Sequence, residues 1–137
     1  MEIPWYTDEN RRKAALVLEG YEQVMGWAKK YGVKIGFGTD AASTLIDTVL
    51  QEFTARSQFF TPYETLKQAT SENAKLFELA RTRNPYRAAK LGVIEAGAWA
   101  DLLIYSGNPL EDINVVVDYK NTLDFIMKDG SVYMSKI

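Results

Sequence analysis

Apolar residues along the first third of the chain recur every three or four positions. Ala14, Val17, Leu18, Tyr21, Val24, Met25 and Ala28 fall on one face of a helix spanning residues 7 to 31. Thr7 stands at its N-cap with Asp8 and Glu9 in the first turn, Lys29 and Lys30 lie in the last, and Gly32 follows as the stop. The spacing then changes. Val33 to Phe37 is a short apolar run, read as a strand, and it ends in G-T-D-A. A second helix is expected from Ser43 or Thr44 to about Ser57. In T-P-Y-E, Thr61, Pro62 and Glu64 make a capping box with proline at N1, so a third helix starts there and carries Leu66 and Ala69. T-S-E-N-A-K-L-F-E-L-A reads as a further short helix capped by Thr70 or Ser71, fading where Asn84 precedes Pro85.

The pattern changes again after residue 85. Val93-Ile94, Leu102 to Tyr105 and Val115 to Val117 are short apolar runs set between turn residues. Asp129-Gly130 separates F-I-M-K from S-V-Y, a strong hairpin signal. Helices dominate the first 85 residues and strands the last part, with a boundary at residues 85 to 91. One strand of five residues cannot cover the apolar faces of the helices around it. The first half therefore reads as an excerpt of an α/β domain.

Composition narrows the chemistry. The 137 residues are 47% hydrophobic and 25% charged, a globular balance. Net charge is −2 and the basic residues are scattered, which gives no electrostatic case for nucleic acid or an anionic membrane. No apolar stretch approaches a membrane span of about 20 residues, and M-E-I-P-W-Y-T-D-E-N has no signal-peptide pattern. With zero Cys, disulfides and thiolate sites are excluded, which fits a cytoplasmic protein. Zero His removes the commonest metal ligand and general base, so no Ser-His-Asp triad can be built.

Among the acids, Asp40 closes the 33–37 run. An acid there can cap the following helix or ligate a metal, and the residues alone leave both open. Asp101, in A-W-A-D-L-L-I, reads as structural, and Glu111-Asp112 as a solvated turn pair. Gly92 and Gly97 read as turn or bulge glycines, with no phosphate-loop lysine near them.

Three segments in order carry a resemblance. G-V-K-I-G-F-G-T-D-A resembles the last barrel strand of the metal-dependent amidohydrolases. T-P-Y-E-T-L-K-Q-A-T-S-E-N-A-K-L resembles the helix pair after it, and L-G-V-I-E-A-G-A-W-A-D-L-L-I-Y-S-G-N-P-L-E-D-I the segment returning to the β-sandwich subdomain. N-P-L-E-D-I and I-M-K-D-G-S-V-Y are similar to the imidazolonepropionase-like and Xaa-Pro dipeptidase-like branch.

The resemblance implies the C-terminal part of a (β/α)8 barrel, its last strand and flanking helices within residues 1–87, followed by part of the β-sandwich within 88–137. It implies that Asp40 ligates one divalent metal, usually zinc, and takes a proton from metal-bound water during hydrolysis of a C–N bond in an amide, peptide or cyclic amide. The family's His ligands lie upstream of the matched region. The chain alone is thus expected to hold no metal and to be inactive, with Asp40 as its sole site residue. Ala42, Ser43 and Thr44 follow Asp40 in the loop that faces the substrate. The rival expectation is a non-catalytic module. On either reading the orphan barrel face is covered by a homo-oligomer or by a complex with the missing N-terminal part.

Overall fold

The computed structural model describes residues 7–40 and 46–137. The chain forms two compact units, Met1–Lys34 and Ile35–Ile137.

The first unit is helix α1, Asp8–Tyr31. Thr7 Oγ1 accepts the Asn10 N–H at 3.2 Å, so the expected N-cap is in place. Gly32 ends the helix in the left-handed region at φ 62°, a conformation that costs a side-chain-bearing residue strain. Exposed ion pairs such as Lys13–Glu9 at 2.7 Å decorate the helix and contribute at most a few tenths of a kcal/mol, about 0.3 to 0.5.

The second unit contains everything else. Residues 33–37, the end of the first unit and the start of the second, are expected as a strand and form none. A strand needs a ladder partner, and among the described residues no strand runs beside this segment. Helix α2 spans Ile46–Arg56; its expected cap at Ser43 or Thr44 lies outside the described residues. Thr61 forms the predicted capping box, accepting the Glu64 N–H while Glu64 accepts the Thr61 N–H at 2.8 Å. Helix α3 then covers Pro62–Lys67.

The expected helix break at Thr70 or Ser71 does not occur. The chain passes through a π-helical turn, Gln68–Glu72, directly into α4, Asn73–Leu79. Thr70 does not cap; its hydroxyl donates back to the Leu66 carbonyl at 2.7 Å. Such back-bonding satisfies the hydroxyl within a continuing helix. A 3₁₀ turn at Arg81–Arg83 closes the run before Asn84 and Pro85.

A three-stranded antiparallel sheet of order β1-β2-β3 follows, with β1 Leu102–Tyr105, β2 Leu123–Lys128 and β3 Ser131–Ser135. Asp129 (φ 52°) and Gly130 (φ 72°) both lie in the left-handed region, as the hairpin signal requires. Val93-Ile94 forms no strand. Val115 to Val117 are helical, within α5, Asn114–Val117. Asp112 Oδ1 accepts the Asn114 N–H at 2.9 Å, and this local bond bends the chain into a helical turn that the apolar pattern alone does not reveal. Helix α6, Tyr119–Thr122, leads into β2.

Leu103, Ile126 and Met134 are register partners, and so are Leu102, Met127 and Val132. Neighbouring residues of a strand face opposite sides, so both faces of the sheet are apolar. That is the composition of a sheet covered on two sides. Phe60, Ile113, Val116 and Leu123 are the buried apolar residues of the unit among those described, and α5 packs on α2. No helix of the described residues is long and apolar enough to cross a membrane.

Candidate functional site around Asp40

Asp40 ends the segment 35–40 in the left-handed region, at φ 53°, and its side chain is exposed. Asp is among the few side-chain-bearing residues that tolerate this conformation. Asp40 is the last described residue before α2, and residues 41–45 between them lie outside the described ones.

The segment is held by a pair of contacts at Phe37. Asn73, the first residue of α4, accepts the Phe37 N–H through Oδ1 at 2.8 Å. Its Nδ2 donates to the Phe37 carbonyl at 2.9 Å. One side-chain amide thus does what a neighbouring strand residue does for both backbone groups. The Phe37 ring packs against Phe53 of α2, centroids 4.4 Å apart, and lies under the Arg56 guanidinium at 4.8 Å. Arg56 is buried and donates to Glu52 and to Gln68 Oε1.

Gly36 allows a close approach of the segment to α4. A Cβ at Gly36 would sit 2.5 Å from Leu76 Cδ1 and 3.0 Å from Asn73 Oδ1. Gly92, at φ 68°, allows a second close approach: a Cβ there would lie 2.6 Å from the Thr70 carbonyl carbon of the π-helical turn. The sequence pattern identifies Asp40 but gives Asn73 no role. Its signal lies in the N of T-S-E-N-A, read there as part of a helix start.

The other singled-out acids have local tasks. Asp101 accepts from Lys128 at 2.8 Å and from the Asp129 N–H at 2.7 Å, pinning the hairpin. These bonds, the Lys128 one first, hold its carboxyl below the usual carboxylate range. Glu111 accepts from Asn108 Nδ2 at 2.9 Å within the turn. Ala42, Ser43 and Thr44 lie outside the described residues. Among the described residues, no three His, Cys, Asp or Glu side chains gather closely enough to hold a metal ion.

The model of the amidohydrolase family matches residues 11–134 of the chain. Among solved structures, a Xaa-Pro dipeptidase with bound methionine in its active site is 35% identical, with a TM-score of 0.75 over 94% of this chain and 29% of that one. A prolidase complexed with N-methylphosphonate-L-proline is 29% identical, TM-score 0.78, over 95% of this chain and 30% of that one. An amidohydrolase at 28% identity has a TM-score of 0.71, over 84% and 26%. No curated protein matches. The chain belongs to the amidohydrolase family. It spans 26 to 30% of the length of these three solved relatives and corresponds to a part of a TIM-barrel-type enzyme.

Proposed function

We propose that the chain supplies the Asp40-bearing part of a metal-dependent hydrolase of C–N bonds, with small amides, peptides or cyclic amides as substrates. The observation that carries this is the exposed Asp40 carboxylate, presented at the end of a segment fastened to α4. The C–N bond is supported by family membership and by relatives that are a prolidase and a Xaa-Pro dipeptidase. On this reading residues 1–87 belong to the barrel and 88–137 to the β-sandwich. A sandwich layer needs an apolar inner face, and this sheet has one.

The donor set of this chain does not fit the family's divalent metal, usually zinc. With 0 His and no cluster among the described residues, Asp40 is one ligand where about three are required. The remaining ligands therefore come from outside these 137 residues, and the chain alone is inactive.

The test is a transplant. The matching segment of the Xaa-Pro dipeptidase is exchanged for this chain and dipeptide hydrolysis is measured. The expected result is turnover that falls by about 10²-fold or more in Asp40→Asn. A folded chimera whose Asp40→Asn form hydrolyses equally well would overturn the assignment.

A second reading, a non-catalytic module that self-associates, has its own observation. In the second unit Leu103 is 57% exposed and Val132 55%. Sedimentation at micromolar concentration distinguishes a homo-oligomer from a clean monomer.

A further inference from the structure

We infer that Asn73 is a positioning residue for Asp40. The inference rests on the functional reading of Asp40 given above, and three features of the second unit support it.

The first is the two-bond clamp on Phe37, at 2.8 and 2.9 Å, made between residues 36 positions apart. A clamp that takes both the N–H and the C=O of one residue sets the segment's register as well as its position. A slip by one residue would offer Asn73 the groups of Gly36 or Gly38 and would move Asp40 along by one residue. Asp40 is three residues beyond the clamp.

The second is Gly36. Its missing side chain leaves the space in which the Leu76 side chain and the Asn73 amide sit against the backbone. A Cβ there would force the Leu76 side chain and the Asn73 amide to shift.

The third is the π-helical turn. Gln68–Glu72 ends at the residue before Asn73. A π turn inserts a residue relative to the α-helical phase, so it rotates the residues beyond it around the helix axis. The rotation is fixed from the other side by the Gly92 loop, which approaches the Thr70 backbone at a distance only glycine permits. Three elements thus converge on the direction in which Asn73 points.

The test uses the full chain, labelled for NMR, with three readouts: hydrogen exchange of the Phe37 amide, the backbone resonances of Asp40, and the amides of α4. Asn73→Leu removes both bonds at similar size. Phe37 exchange is expected to accelerate at least about tenfold, with Asp40 resonances displaced while Leu76 to Leu79 keep their shifts. A merely structural role would instead move the α4 amides and the melting temperature and leave Asp40 in step with the rest of the unit.

Asn73→Asp serves if the leucine variant fails to fold. It keeps the acceptor for the Phe37 N–H and loses the donor, so the Phe37 carbonyl carbon and Asp40 should shift together. Unchanged Asp40 resonances in either folded variant overturn the inference.

The two proposals fail separately. If Asp40→Asn abolishes hydrolysis in the transplant but the Asn73 variants leave Asp40 unmoved, only the positioning role falls. If the Asn73 variants move Asp40 but Asp40→Asn hydrolyses normally, the functional reading falls and the clamp remains as a structural fact.

Discussion

Arg56 and Gln68 meet across the turn between α2 and α3, guanidinium to amide oxygen at 2.7 Å, with 3% and 7% of their surfaces exposed. Arg56 also pairs with Glu52, whose side chain is 13% exposed. Removing one partner of a buried ion pair leaves the other charge desolvated. Arg56→Ala should therefore destabilise the chain by about 3 kcal/mol or more in urea unfolding. The double variant Arg56→Leu, Glu52→Leu should lose distinctly less, since no charge is left stranded.

Thr65 is fully buried, at 0% exposure, and its hydroxyl has no hydrogen-bond partner among the described residues. Val has the same shape without the hydroxyl. Thr65→Val should stabilise the chain by about 1 kcal/mol, because a buried donor without a partner carries its desolvation cost uncompensated. A urea midpoint that does not rise would count against this account of the site.

Gly92 and Gly97 both adopt positive φ, 68° and 83°, yet only Gly92 is crowded. A Cβ at Gly97 meets nothing within 4 Å. Gly97→Ala should cost only the left-handed strain, about 1 to 2 kcal/mol. Gly92→Ala should cost clearly more, because backbone atoms of Thr70 cannot move aside. Side-by-side unfolding curves of the two variants decide it.

The hairpin should respond to acid. Asp101 in the folded chain sits below the usual carboxylate range because Lys128 and the Asp129 N–H bond its charged form. Its stabilising effect is therefore present above the unfolded-state pKa, about 4, and is lost as pH falls through the folded value. Lys128 is shifted the other way by the same partner. Its effect is present below the ordinary lysine range and is lost as pH rises through the raised value. Measured relative to its intrinsic rate at each pH, exchange of the Asp129 amide should stay slow from about pH 5 to 9 and quicken in acid. In Asp101→Asn it should be faster throughout, with the acid step gone.

Local signals were readable in the sequence because their partners lie within a few residues. Thr7, Gly32, the Thr61–Glu64 box and Asp129-Gly130 all act at that range, and each stands where the pattern puts it. The misreadings share a cause of the opposite kind. Val33 to Phe37 has strand composition, but a strand is a relationship with another segment, and among the described residues none runs beside it. Thr70 and Ser71 look like caps, but the helix continues because packing against the Gly92 loop supports the wide turn. Val115 to Val117 look β-like until Asp112 fixes the turn before them. For the site, G-F-G-T-D marks Asp40, while the pairing of Asn73 with Phe37 joins residues too far apart for any local pattern.

The hairpin turn also bears on how the protein ages. Asp-Gly is the aspartyl dipeptide most prone to succinimide formation, in which the following backbone nitrogen attacks the aspartate carboxyl carbon, water leaves, and hydrolysis of the ring gives isoaspartate. At Asp129-Gly130 that nitrogen's hydrogen is engaged by the Ala100 carbonyl at 3.1 Å, and the Asp129 N–H is held by Asp101. The folded chain should accumulate isoaspartate at residue 129 more slowly than the urea-unfolded chain, as peptide mapping after warm storage can measure. The turn that sets the register of β2 and β3 thus also slows chemical damage at its own most fragile bond.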